Sequence, residues 1–329
     1  MISQADLRLL LAAVNLSHQG IPQTEISESL GISPSKVSRL LSRASEYVEL
    51  RYVLPEDERL AVELIRRYRI ADAVVVETGR PEQETQIVGQ AAAAYFRANV
   101  ETGSSVAFSC GHTLLELAMA LPRQTHKAFE IHQMSVEGDP EEVHQAPSTL
   151  VGLLRAKSSA ESRVFGIQMP PADEVKGGVE FRKNLKGSEM MARLRAQAKT
   201  CDHVYMGVGT PIGHEGGSPS SFVRLAEALI GMEKYQQTVK DLGVVGEINN
   251  QLFDDRGVDR TPEFGGLEER FVNIVSLQDL MELASKPGTH RVVAVAAGAH
   301  KASALKTALS AGLANVVITG RDLAERLLD

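Results

Sequence analysis

The sequence predicts an α/β protein, with a small helix-turn-helix domain at the N-terminus and a Rossmann-like, parallel-sheet domain behind it. Three observations lead there. From residue 56 onward, short apolar runs alternate with amphipathic helical patterns, the signature of βαβ units and a parallel sheet. Residues 1 to about 52 carry helical spacing and little strand signal. Several apolar runs end in glycine, and ligands of open parallel sheets sit beyond such carboxyl ends. The division is expected at 1–54, which includes a short linker, and 55–329.

In the first domain, Leu7, Leu10, Leu11 and Val14 have the spacing of one buried helix face. "QTEISESLGISPSKVSRLLS" (23–42) then fits a helix-turn-helix. Ile26 and Leu30 belong to its first helix, Gly31 to the tight turn, and Ile32 to the apolar position after it. Ser33 is a good N-cap and Pro34 suits the first helical position. Val37, Leu40 and Leu41 pack the second helix back. Its other face shows Ser33, Ser35, Lys36, Ser38, Arg39 and Arg43, with no acid until Glu46, as contacts to phosphates and base edges require. A small bundle with a solvated charged face is the plainer alternative. Residues 1–51 hold five basic and five acidic side chains, so one copy is expected to bind DNA weakly and a homo-oligomer more tightly. "YVELRYVLP" (47–55) reads as a short strand or strand-like linker.

In the second domain, helices are expected over 57–70, 85–100, 113–121, 147–159, 187–200 and 301–312, with a terminal helix from 321. Strands are expected over 71–78, 104–111, 128–136, 162–169, 201–209, 291–298 and 314–320. Residues 210–230 read as loop before a short helix.

Composition narrows the function. The chain has 329 residues, with 43% hydrophobic and 23% charged content, ordinary for a globular protein. No apolar run approaches the roughly 20 residues of a membrane span, and "MISQADLRLL" has no apolar signal core, so a cytoplasmic chain without a membrane partner is expected. Two cysteines make no disulfide framework. A net charge of −7 argues against non-specific nucleic-acid binding by the whole surface, though not by a small basic element.

Four strand ends are candidates for chemistry. "FSCGHTLLELA" (108–118) offers Gly111, His112 and Thr113 at a helix start, where backbone N–H groups hold anions. "MGVGTPIG" (206–213) brings Gly209 and Thr210, with backbone open to a ligand. "GVVGEINNQLFDDRG" (243–257) places Glu247 and Asn249 beside Gly246, Glu247 being suited to accept hydroxyl hydrogen bonds. Asp254 and Asp255 are expected to turn the chain before Gly257. "VAVAAGAHKASALKTAL" (293–309) sets Lys301 at a helix mouth. No HExxH occurs among the nine histidines, GxSxG is absent, and "GVG" (207–209) is too short for a dinucleotide fingerprint. No metal or cofactor is called for. Cys110 as a nucleophile lacks an assignable histidine.

These residues resemble the SorC (SorC/DeoR-type) sugar-binding transcriptional regulators of bacteria. The resemblance rests on "GISPSKVSRLLSRA" (31–44), "CGHTLLELA" (110–118), "GVGTP" (207–211), "GVVGEINNQLFDDRG" (243–257) and "VAAGAHKASALKTALSAGLANVVIT" (295–319), and it covers nearly the whole chain. It implies an effector domain like the sugar-phosphate isomerase and CoA-transferase folds, a sugar or sugar-phosphate effector, and assembly into dimers or tetramers. It implies that Gly111, His112 and Thr113 form the phosphate loop, that Gly209 and the residues after it border the sugar, and that Glu247 and Lys301 reach the effector. The chain departs from the family's usual residues at Pro34, His112 and Gly320, and in "NLSHQG" (15–20). The expected function is a DNA-binding repressor of carbohydrate catabolic genes, controlled by its effector and not an enzyme. The alternative is a sugar-phosphate isomerase or deaminase with an appended helical module, since fold alone does not decide function.

Overall fold

The computed structural model describes residues 4–18, 21–44, 56–122, 127–136, 146–167, 178–212, 220–266 and 268–329. Two compact units divide the chain, Met1–Val53 and Leu54–Asp329. The stretch expected as a strand or linker over 47–55 falls outside the described residues.

The first unit holds helices α1 (Gln4–His18), α2 (Gln23–Leu30) and α3 (Pro34–Ser42). Gly31 takes the left-handed conformation, φ 62°, which a side chain would disfavour. The turn is closed by Ile32 N–H on Ser27 O at 3.1 Å and by Ser27 Oγ on Ile32 O at 2.6 Å. Ser33 caps α3 by accepting Lys36 N–H at 3.3 Å, with Pro34 behind it. Leu10, Ala13, Val14, Ile26, Val37 and Leu40 form the core, with Leu41 packed against it. One residue of the expected α1 face is corrected: Leu11 is 48% exposed, and Ala13 takes a place in the core. The helix turns by about 100° per residue, which carries position 11 off the face that Leu10 and Val14 share.

The second unit is built on a seven-stranded sheet. In chain order its elements begin α4 (Glu58–Tyr68), β1 (Asp72–Val76), α5 (Pro81–Asn99), β2 (Ser105–Phe108), α6 (His112–Ala120), β3 (Glu130–Gln133), β4 (Ser135–Val136), α7 (Pro147–Lys157) and β5 (Arg163–Phe165). They continue α8 (Gly178–Lys186), α9 (Glu189–Ala198), β6 (His203–Gly207), α10 (Ser221–Ile230), α11 (Met232–Asp241), β7 (Val244–Ile248), β8 (Gln251–Asp254) and β9 (Val272–Asn273). The last are α12 (Leu277–Ala284), β10 (Arg291–Ala296), a 3-10 turn (Ala299–Lys301), α13 (Ala302–Ser310), β11 (Val316–Gly320) and α14 (Arg321–Leu328).

All pairings in the large sheet are parallel, in the order β1-β11-β10-β6-β2-β3-β5. Both faces are covered. Val293, Val295 and Tyr205 point to the side packed by α5, α6 and α7. Val292, Ala294, Met206 and Val317 point to the side packed by α4, α9, α12, α13 and α14. Burial on both faces is why these strands read as continuous apolar runs rather than alternating ones.

Several expectations are corrected. The single strand expected over 128–136 breaks at Met134: β3 stays in the sheet, while β4 pairs antiparallel with β9. Met134 and Val136 are buried throughout, so the apolar pattern does not register the change of hydrogen-bond partner. The segment 243–257 is not a strand of the parallel sheet. It forms an antiparallel hairpin, β7–β8, turned by Asn249 and Asn250 at φ 54° and 58°. Two consecutive positive φ values define the tight hairpin turn that asparagine tolerates. Helices α8 and α12 lie where no helix is expected, α10 occupies part of the loop expected over 210–230, and α5 starts at Pro81 rather than at 85. The hairpin, α10 and α11 close a separate core around Phe222, Tyr235, Leu252, Phe264 and Phe271.

Candidate functional site

Parallel pairing puts the carboxyl ends of β1, β11, β10, β6 and β2 side by side along one edge of the sheet. Those of β1, β2, β10 and β11 lead into helices, and the segment just after β6 pairs with the hairpin. After β2, Gly111 (φ 129°) caps α6; His112 is exposed and Thr113 buried in the first helical turn, so Thr113 does not present its hydroxyl to solvent. The start of α6 adjoins the end of β6, where Gly207 N–H donates to Ser109 Oγ at 3.3 Å.

The end of β6 is clasped to the hairpin. Gly209 N–H donates to Glu247 O at 2.8 Å, and Glu247 N–H returns to Gly209 O at 3.0 Å. A Cβ on Gly209 would stand 3.6 Å from Glu247 Oε2, so the carboxylate lies over bare backbone. Glu247 is 8% exposed, and Ser220 Oγ donates to its Oε2 at 2.7 Å. Burial pushes its carboxyl up to about 7, against the pull of the Ser220 hydroxyl and the Lys301 charge. Thr210 spends its hydroxyl on Ile212 O at 2.9 Å, and Tyr235 holds the same loop through Pro211 O at 2.6 Å.

After β10, Gly298 opens the 3-10 turn that ends in Lys301, whose N–H returns to Gly298 O at 3.0 Å. The Lys301 side chain is half-buried. Burial lowers its ammonium from the usual lysine range, opposed by Glu84 and Glu247. Lys301 thus interacts electrostatically with Glu84 and Glu247, and Gly209 lies beside the Glu247 carboxylate. A cavity of about 550 Å³ lies beside it, with Thr210, His300, Lys240 and Asp255 in its walls.

Asn249 Nδ2 is held by the fold, donating to Met134 O at 3.1 Å and to Val275 O at 3.0 Å, while its buried Oδ1 has no hydrogen-bond partner among the described residues. Glu84, in the first turn of α5, was missed because the helix was expected to start after it. Asp254 turns the chain as expected, accepting Arg256 N–H at 3.0 Å and Val258 N–H at 2.9 Å.

On α3, Ser33, Ser35, Ser38, Arg39 and Arg43 are exposed. Ser33 Oγ is occupied by its cap and lies 3.0 Å from Ser35 Oγ. Lys36 pairs with Asp6 of α1 at 3.0 Å, an acid that a reading along α3 alone does not see.

A helix-turn-helix unit, and a doubly covered parallel sheet with charged side chains gathered at its carboxyl edge, fit the class of effector-domain transcription regulators. The family model described as "Putative sugar-binding domain" matches residues 54–329, and the chain belongs to that family, among the SorC/DeoR-type sugar-binding transcriptional regulators. It is similar over its whole length to the Sorbitol operon regulator of Klebsiella pneumoniae, 24% identical over 338 residues and covering 100% of both chains. It is 25% identical over 332 residues to the Deoxyribonucleoside regulator of Bacillus subtilis (strain 168), covering 98% of this chain and 97% of that one. The crystal structure of full-length SorC from Klebsiella pneumoniae superposes with a TM-score of 0.66 at 22% identity, covering 99% of this chain and 100% of that one. These relatives are regulators, and the chain is a regulator rather than an isomerase or deaminase. Among the described residues no helix is long and apolar enough to cross a membrane.

Proposed function

We propose that the chain represses carbohydrate catabolic genes from the cytoplasm, and that a sugar or sugar phosphate bound at the carboxyl edge of the sheet controls its hold on operator DNA. The observation that carries this reading is the gathering of Glu247, Gly209 and Lys301 at adjoining strand ends. Glu247 accepts effector hydroxyls, Lys301 donates to them, and Gly111 and His112 border the effector at the start of α6. The hydrogen bonds of Asn249 and Thr210 support a framework role for both. Ser33, Ser35, Lys36, Ser38, Arg39 and Arg43 face DNA, Lys36 after parting from Asp6. The working form is a homo-oligomer on paired half-sites. An effector that binds the DNA-bound and free arrangements unequally changes operator affinity by about 5–150-fold.

Band-shift titration on the chain's own promoter region, with and without a panel of sugars and their phosphates, tests the reading. Arg39→Ala is expected to abolish operator binding and keep effector binding. Lys301→Ala and Glu247→Ala are expected to keep operator binding and lose the effector response. Normal response in both of these variants would place the site elsewhere. Turnover of a sugar phosphate that vanishes in Lys301→Ala would replace the regulator with an enzyme.

A further inference from the structure

A third charged side chain enters the same edge of the sheet. Glu84 Oε1 accepts Gly298 N–H at 3.0 Å, at the opening of the turn that ends in Lys301. The same oxygen stands 2.7 Å from where a Cβ on Gly320 would lie. The end of β11 therefore carries no side chain, and a carboxylate from α5 occupies that space. Glu247 stands in the same way over Gly209, at the end of β6. The sheet order runs β11-β10-β6, so the turn after β10, which ends in Lys301, opens between two carboxylate-covered strand ends. Both carboxylates act on its charge. One ammonium between two carboxylates gives this stretch no positive excess to offer an anion. It does offer acceptors on either side of a donor, the complement of a run of hydroxyls.

We propose that Glu84 is a specificity-determining residue of the effector site: with Glu247 it brackets Lys301, so that the ends of β11, β10 and β6 select an uncharged sugar or polyol over its phosphate ester. This rests on the reading of the cleft as the effector site.

The test is isothermal titration of the full-length chain with sorbitol, mannitol, glucose, fructose and ribose, each beside its monophosphate. The pair that binds best is then measured in variants. Glu84→Gln keeps an acceptor for Gly298 N–H while removing the charge. Gly320→Ala leaves Glu84 intact but places a methyl group against its carboxylate. The wild type is expected to prefer the free compound, and both variants to shift that preference towards the ester by about tenfold, the scale of one charged hydrogen bond. A wild type that prefers the esters, one that binds no free compound, or a preference unmoved in both variants overturns the proposal. Lys301→Ala and Glu247→Ala run alongside: if they bind every compound as the wild type does, the effector site itself is misplaced, which is a different failure from an unmoved ratio in the Glu84 variants.

Discussion

Glu247 is a carboxylate held almost out of water, with one hydroxyl donor and one ammonium nearby to favour its charge. Its proton is held more tightly in the folded chain than in the unfolded one. Between the ordinary value of 4.5 and the raised value of about 7, the folded chain keeps a proton that the unfolded chain has released. Stability therefore falls as pH rises through that window, by at most about 3 kcal/mol. Glu247→Gln is expected to remove this slope. Thermal melts should show the variant roughly 5 °C above wild type at pH 8 and level with it at pH 4; parallel curves for the two proteins would discount the buried charge. Effector affinity should rise with pH across the same range in wild type, because the ionised carboxylate is the better hydroxyl acceptor, and should stay flat in the variant.

Two elements carry the proposed function, and each has a position that tests it. Ser33 caps α3, and Ser33→Ala is expected to cost about 1 kcal/mol of the first unit's stability, read by amide exchange in α2 and α3. In the hairpin, a Cβ on Gly246 would come within 2.3 Å of the Phe253 ring and 2.8 Å of Ala304 Cβ. Gly246→Ala must push β7 off α13, and with it Glu247. Effector response is expected to fall while operator binding persists; an unchanged response would mean that the hairpin does not position the acid. The turn glycine, the cap and the apolar spacing made the helix-turn-helix legible in the sequence, because each acts within a few residues of itself. Glu247 and Lys301 were marked as candidates for a similar reason, since each lies within three residues of a glycine, Gly246 in β7 and Gly298 at the opening of a turn. Glu84 was not, because it meets Gly298 and the bare backbone of Gly320, more than 200 residues away, and no local pattern marks it. Nor was the break at Met134, where burial continues and only the backbone partner changes. The Asn249–Asn250 turn was present in the letters, but the segment was read for the chemistry of Glu247 and Asn249 and not for its turn.

For the whole molecule, the balance of five basic and five acidic residues over 1–51 sets a limit on DNA affinity. A single neutral unit gains little from phosphate contacts, so operator affinity is expected to depend on linking several copies. Cutting the operator to one half-site is expected to weaken binding by about 10²-fold or more, measured by fluorescence anisotropy at fixed salt; equal affinity for half and whole sites would mean that one copy suffices. One acceptor in the second unit has a mechanical consequence. The Met134 carbonyl receives Ile274 N–H at 2.8 Å, Val275 N–H at 3.1 Å and the Asn249 amide at 3.1 Å. A carbonyl has two lone pairs, so three donors share it, and loosening one strengthens the other two. The joint spreads load among the border of the large sheet, the β4–β9 ladder and the hairpin bearing Glu247. An effector on Glu247 that tightens the Asn249 bond leaves the other two donors held less firmly, so amide exchange at Ile274 and Val275 is expected to quicken in step, although neither residue lines the cavity beside Thr210.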